Sequence, residues 1–239
     1  MTNINNNNNN LSNAVITRLK NRSSVHFGHV FDYSRNTINK TISGTTLILP
    51  KVVQPLMDRL CDKLPDIISE TPDQLTINRY EGDDHIPPHI DTHSMCTDWV
   101  VSISVHSDVV MTLTTNDHHQ LDEDEDYGLK STNNIAARMI NLPARSALVM
   151  SGEARYHWRH GIRKTMVDIR PLYADMSHDN DNQNIVPPQL YHIHRLSLSP
   201  RALRYSFTFR RVCPPGYQCQ CPYPESCDVR VFNSYSNNN

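Results

Sequence analysis

Arg204-Tyr-Ser-Phe-Thr-Phe-Arg210 decides the fold class. Side chains alternate along a strand, so Tyr205, Phe207 and Phe209 share one face while Arg204, Ser206, Thr208 and Arg210 share the other. The same period of two recurs upstream. Val101, Ile103 and Val105 alternate with Ser102 and Ser104, and Val109, Met111 and Leu113 follow a polar break, which predicts two adjacent strands. Leu75 and Ile77 alternate with Thr76, Asn78 and Tyr80, and the stretches 147–150 and 166–169 add short strands. One helix is predicted, with Pro55 in its first turn, Leu56, Leu60 and Leu64 on one stripe, and Met57 and Cys61 beside them. Cys61 is then a core residue. Many short strands and few helices predict a mainly β chain with flanking helices, built on a double-stranded β-helix (jelly-roll) core.

At 239 residues the chain suits one well-buried domain, placed at residues 25–228. Twenty-three Lys and Arg against 25 Asp and Glu leave a net charge of -2, so any nucleic-acid contact must be a local patch. No apolar run reaches the roughly 18 to 20 residues of a membrane span, and the Asn-rich start lacks the parts of a signal peptide. The expected setting is cytoplasmic or nuclear, with no membrane. Residues 1–24 and 229–239 are read as largely disordered. An acidic insertion falls near 117–126, including the run Asp122 to Asp126, and a mobile insertion near 178–184.

Asn78 and Tyr80 put an amide and a phenol on one wet strand face, as expected where a barrel mouth encloses a polar ligand. His89 and Asp91 also share strand parity. With His160, or equally His157, they could offer iron(II) two imidazoles and a carboxylate on one triangular face, leaving positions open for an oxo acid and dioxygen. Arg204 and Arg210 supply planar guanidinium groups suited to a dicarboxylate such as 2-oxoglutarate. In a chain with 13 histidines an H-x-D triplet says little alone; its order with Asn78, Tyr80, His160, Arg204 and Arg210 says more. Cys219-x-Cys221 and Cys227 place three soft ligands within nine residues, which one imidazole would complete as a tetrahedral zinc site. A disulfide among Cys213, Cys219, Cys221 and Cys227, or free thiols, are the other readings, and Cys96 has no evident partner.

Asn78-Arg-Tyr80, Ile86-Pro-Pro-His-Ile-Asp-Thr-His93, Ser151-Gly-Glu-Ala-Arg-Tyr156, His160-Gly-Ile162 and Arg204 to Arg210 together resemble AlkB-type iron(II) and 2-oxoglutarate dioxygenases. Within that family they are most like the oxygenase domain of the AlkB homologue 8 branch, over a stretch from about Val25 to Cys227. The resemblance implies that His89, Asp91 and His160 bind iron and that Asn78, Tyr80, Arg204 and Arg210, with Ser206 and Thr208 on the same strand face, line the 2-oxoglutarate site. It also implies that His93 joins Cys219, Cys221 and Cys227 around structural zinc.

The activity implied is oxidative decarboxylation of 2-oxoglutarate by O2 coupled to hydroxylation of a C–H bond. The implied substrate is RNA, in particular the 5-methoxycarbonylmethyl side chain of a tRNA wobble uridine. Oxidative N-demethylation of RNA, DNA or protein is the alternative, and a catalytically inactive RNA-binding or interaction protein the second. Arg18, Lys20, Arg22 and Lys40 are candidate phosphate contacts. The sequence shows no RNA-recognition module before the oxygenase and no methyltransferase domain after it, so a protein partner is expected to supply RNA affinity or methyltransferase activity.

Overall fold

The computed structural model describes residues 16–32, 37–39, 49–115, 137–173, 193–214 and 216–228. The insertions near 117–126 and 178–184, the 229–239 tail and Lys40 lie outside them. In chain order the strands are β1 (Thr17–Arg18), β2 (Ser23–Gly28), β3 (Val30–Asp32), β4 (Thr37–Asn39), β5 (Gln74–Tyr80), β6 (Ile86–His89), β7 (Cys96–Val105), β8 (Val109–Thr115), β9 (Ala137–Leu142), β10 (Ala147–Ser151), β11 (Trp158–Ile162), β12 (Val167–Tyr173), β13 (Ile193–Pro200) and β14 (Arg204–Val212). Helix α1 (Gln54–Lys63) precedes β5, and the short α2 (Gly152–Tyr156) joins β10 to β11.

Two antiparallel sheets form the jelly-roll. The larger runs β1-β2-β5-β14-β7-β10 and the smaller β6-β11-β8-β9, while β12-β13 and β3-β4 are two-stranded ribbons. Alternation along β14 sorts its two faces as expected. Phe209 is fully buried with Leu75, Trp99, Val101 and Ile103 in a core that α1 closes with Met57 and Leu60, and Cys61 packs at its margin. Pro55 stands in the first turn of α1, where its missing N–H costs no hydrogen bond. Across the larger sheet, Ser206 pairs with both Asn78 and Ser104, and Thr208 with both Thr76 and Ser102. Directly paired residues share a face, so these six buried polar side chains form one continuous floor. Tyr80 crosses from that sheet into a cluster with Val109, Met111 and Ile162 of the smaller sheet, and this contact joins the layers.

Two expectations need correction. Order begins before residue 25: Thr17 and Arg18 pair with Ser24 and Ser23, and β2 adds to β5 through a register running from Ser23 opposite Arg79 to Gly28 opposite Gln74. The hydrogen bonds of the sheet edge, which composition alone cannot foresee, order this polar segment. The strands read at 101–105 and 109–113 are consecutive without being neighbours in a sheet. β7 is already paired on both sides, by β14 and β10, so the chain turns at His106, which has φ 80°, and enters the other sheet as β8.

Candidate iron, co-substrate and zinc-type sites

β6 and β11 lie side by side with His89 directly opposite His160. Their close approach depends on Gly161, where a Cβ would stand 2.9 Å from the Pro88 nitrogen and 3.0 Å from the Ile86 oxygen. The imidazole centroids are 4.3 Å apart. Asp91, just beyond β6, brings Oδ1 to 3.8 Å from His89 Nε2, and the ligating atoms of His89, Asp91 and His160 all lie within 4.8 Å of one another. His89 Nδ1 donates to the Pro87 carbonyl at 2.9 Å, which leaves Nε2 as the basic nitrogen facing Asp91.

The electrostatics suit a cation. Burial lowers the pKa of His89, and burial together with the neighbouring His89 lowers that of His160 to about 3, so both rings are neutral donors. Burial by itself would raise the Asp91 pKa, but Arg210, His160 and His89 outweigh it and hold the carboxyl below its usual range. Two neutral imidazoles and a buried carboxylate match the facial donor set that holds iron(II) and leaves other positions open. His157 belongs elsewhere: it stacks on Tyr223 with centroids 4.9 Å apart and sits 3.5 Å from Glu225.

The two β14 arginines separate to opposite ends of the polar floor. Arg210 grips Asp91, with Nε 3.0 Å from Oδ2 and Nη2 3.2 Å from Oδ1, and Nη1 reaches Gln74 at 3.2 Å. Arg204 is 2 % exposed and donates through Nη2 to Ser104 at 2.8 Å, while its Nε and Nη1 have no hydrogen-bond partner. Its guanidinium carbon stands 5.3 Å from the Tyr80 ring centroid. Burial lowers its pKa, and a buried guanidinium with two unused donors calls for an anion. Asn78, Ser206 and Thr208 line the path from Arg204 toward Arg210, and the Asn78 oxygen accepts from Arg22 Nε at 3.1 Å. The residues present therefore fit 2-oxoglutarate: a carboxylate at Arg204 and its oxo-acid end toward His89, Asp91 and His160.

The second donor set is His93, Cys219, Cys221 and Cys227, all buried, with ligating atoms within 4.8 Å of one another. His93 Nδ1 is 3.3 Å from Cys221 Sγ and 4.0 Å from Cys219 Sγ, and none of the six cysteines is in a disulfide. Burial lowers the His93 pKa to about 4 and raises that of the Cys219 thiol. Asp228 anchors the segment, its Oδ1 accepting from the His93 nitrogen at 2.7 Å and from the Ser94 nitrogen at 3.2 Å. Three buried sulfurs and an imidazole are the donor chemistry of a closed tetrahedral site.

Sequence reading missed several parts of these sites. Ser102 and Ser104 complete the floor, and their signal was two small polar residues in an otherwise apolar strand. Arg155 is 2 % exposed and ties the two donor sets together, donating to the carbonyls of Asp91 at 2.6 Å, Thr92 at 3.0 Å and Cys96 at 3.2 Å. Of the expected phosphate contacts, Arg18 is paired to Asp84 at 2.8 and 2.9 Å and Arg22 turns toward Asn78. A cleft of about 740 Å³ opens beside the cysteines and is lined by Asp66, Glu70, Glu153, Tyr156, Tyr217 and Tyr223, among others; none of His89, Asp91 or His160 borders it.

Residues 7–210 match the family model described as 2OG-Fe(II) oxygenase superfamily. The chain is 36% identical over 212 residues to a Macaca fascicularis protein named tRNA (carboxymethyluridine(34)-5-O)-methyltransferase ALKBH8, covering 88% of this chain and 27% of that one. It is 30% identical over 217 residues to an Arabidopsis thaliana protein named Alkylated DNA repair protein ALKBH8 homolog, covering 88% of this chain and 54% of that one. The chain thus spans between about a quarter and about half the length of these curated relatives. Among solved structures, that of OsALKBH1 superposes with a TM-score of 0.47 at 14% identity, over 80% of this chain and 78% of that one.

Proposed function

Since the chain belongs to the 2OG-Fe(II) oxygenase superfamily and is a 2-oxoglutarate-dependent dioxygenase, we propose that it hydroxylates the 5-methoxycarbonylmethyl side chain of a modified wobble uridine in tRNA. His89, Asp91 and His160 would hold the iron, and Arg204 and Tyr80 the distal carboxylate of 2-oxoglutarate, with Asn78, Ser206, Thr208 and Arg210 along its length. His93, Cys219, Cys221 and Cys227 would hold a structural zinc. The observation that carries the co-substrate assignment is Arg204, whose buried guanidinium keeps two donors unused at the end of the polar floor. The tRNA part is carried by the 36% identity to a relative whose name concerns uridine 34 of tRNA.

When bound, iron(II) with 2-oxoglutarate and O2 supplies the oxidation: the co-substrate leaves as succinate and CO2, and the substrate C–H becomes C–OH. The chain supplies placement. Pro87 fixes the His89 tautomer, Arg210 keeps Asp91 ionised and aimed, and the floor orients the co-substrate by hydrogen bonds. No side chain need act as nucleophile. A second reading, oxidative N-demethylation, draws on the Arabidopsis relative's name, which concerns alkylated DNA repair.

The two differ in product. Hydroxylation next to nitrogen gives a hemiaminal that releases formaldehyde, whereas hydroxylation of the uridine side chain leaves a stable alcohol. Total tRNA incubated with the protein, iron, 2-oxoglutarate and O2, then digested to nucleosides for mass analysis, is expected to gain one oxygen on the modified uridine. Formaldehyde release without that gain would reject the proposal.

A further inference from the structure

The inner face of the smaller sheet carries more than the iron ligands. Its register sets Arg138 opposite Leu113, Leu113 opposite His160, and His160 opposite His89, so these four side chains form one row across the sheet. Trp158 stands two residues before His160 on β11, paired with Thr115 in unbroken register, and therefore shares this face about 7 Å along the strand. Exposure rises in that direction. Ile162 is 3 % and His160 8 % exposed, while Trp158 is only half-buried, so the indole lies at the open end of the face.

Trp158 is not packed like a core tryptophan. Trp99 is 2 % exposed inside the main hydrophobic cluster, whereas Trp158 joins none of the hydrophobic clusters among the described residues. Its ring edge is pinned, because Nε1 donates to Glu153 Oε1 at 3.0 Å, and the Arg138 guanidinium carbon stands 6.0 Å from its centroid. A large aromatic surface held at its edge, half-buried and with a guanidinium over one face, leaves the other face suited to a flat ring, with positive charge available for the phosphate beside it.

We propose that Trp158 and Arg138 form a stacking platform for an unpaired nucleobase of a single-stranded RNA, adjacent to the nucleotide whose side chain is oxidised. The inference rests on the reading of the substrate as RNA and assigns it a second point of grip. Every base has a π face, so the platform holds the strand without selecting sequence, and choice of the target is left to the surroundings of the iron ligands.

The chain has two tryptophans, and one is sealed in the core, so fluorescence quenching by a stacked base reports on Trp158. The metal-loaded full chain, kept free of oxygen so that nothing turns over, is titrated with a short single-stranded oligouridylate and, separately, with inorganic polyphosphate. Saturable quenching by the RNA and none by polyphosphate is expected. Read by the anisotropy of an end-labelled oligouridylate, which does not depend on the tryptophan, Trp158→Ala should weaken binding roughly 5- to 100-fold, the range for loss of one base–aromatic stack. Trp158→Leu, which keeps apolar bulk without a ring face, should do the same, and Trp158→Phe should restore most of the affinity. An unshifted Trp99 emission shows that each variant is folded. RNA bound equally by wild type and both ring-less variants, or the same quench from polyphosphate, overturns the platform while leaving the RNA reading intact. Failure of the oligouridylate to bind wild type overturns both.

Discussion

Asp91 and His93 sit two residues apart in one turn and serve different donor sets: Asp91 gathers with His89 and His160, His93 with Cys219, Cys221 and Cys227. Arg155 holds that turn from beneath, with Nη1 2.6 Å from the Asp91 carbonyl and Nη2 3.0 Å from that of Thr92. The adjacent Tyr156 packs edge-on against His93, with centroids 4.9 Å apart. Arg155→Met keeps apolar bulk but leaves buried carbonyls without donors, at about 1 to 3 kcal/mol for each unsatisfied group. The variant should melt several degrees lower and bind iron(II) more weakly, by roughly 10-fold or more. Thermal unfolding and an anaerobic iron titration check both; unchanged iron affinity in a folded variant would show that the turn holds its shape without Arg155.

Removal of one thiol tests the second donor set and its reach. Cys221→Ser deletes a sulfur 3.3 Å from His93 Nδ1, so metal analysis of the purified chain should fall from one zinc to well below one. Because His93 and Asp91 share a turn, succinate formation should decline as well. Full zinc occupancy in the variant would sink the assignment.

Period two in residues 74–80 and 204–210 was enough to separate a polar floor from an apolar underside, because each strand carries both faces within itself. Most members of the two donor groups lie close in sequence, His89, Asp91 and His93 in one stretch and the three cysteines in another, but the choice of His160 over His157 and of His93 for the cysteines rested on the family resemblance. Partnership over long separations was not legible. Nothing local distinguishes Arg155 from a solvated helix cation, and its contacts to Asp91 lie 64 residues away. The same holds for Asp228, which meets the His93 nitrogen across 135 residues, and for Ser104, whose place beside Arg204 follows only from the order of strands. The two arginines share one strand face, but six residues of strand set their guanidinium groups at different ends of the floor, one on Asp91 and one beside Tyr80.

His26 gives a pH dependence of folding with a definite sign. Burial, then the nearby Arg210 and Arg22 charges, lowers its pKa to about 4, and Nδ1 is 3.0 Å from Thr76 Oγ1. The unfolded chain takes up this proton near pH 6.5 and the folded chain does not until about pH 4. Between those values the unfolded state binds more protons, so this contribution is fully present above about pH 6.5 and is lost as the pH falls toward 4. It is worth at most about 3 kcal/mol. Denaturant unfolding of the metal-loaded protein at several pH values should show His26→Gln with a shallower acid slope than wild type. Identical slopes would mean that His26 is protonated in the fold.

Arg204 offers the sharpest test of how the co-substrate is held. Its Nε and Nη1 are buried without partners while Nη2 is spent on Ser104, so a carboxylate reaching this end of the floor would meet guanidinium donors not used within the fold. Lysine keeps the charge but offers a single ammonium in place of the planar fork. Charge-assisted hydrogen bonds contribute about 1.5 to 3 kcal/mol each, so Arg204→Lys should raise the 2-oxoglutarate concentration needed for half-maximal succinate formation roughly 10- to 100-fold. The iron requirement should stay near that of wild type, because Arg210 and Asp91 at the other end are untouched. The two requirements separate the explanations: a variant that needs more iron and no more 2-oxoglutarate would place the co-substrate carboxylate somewhere other than Arg204.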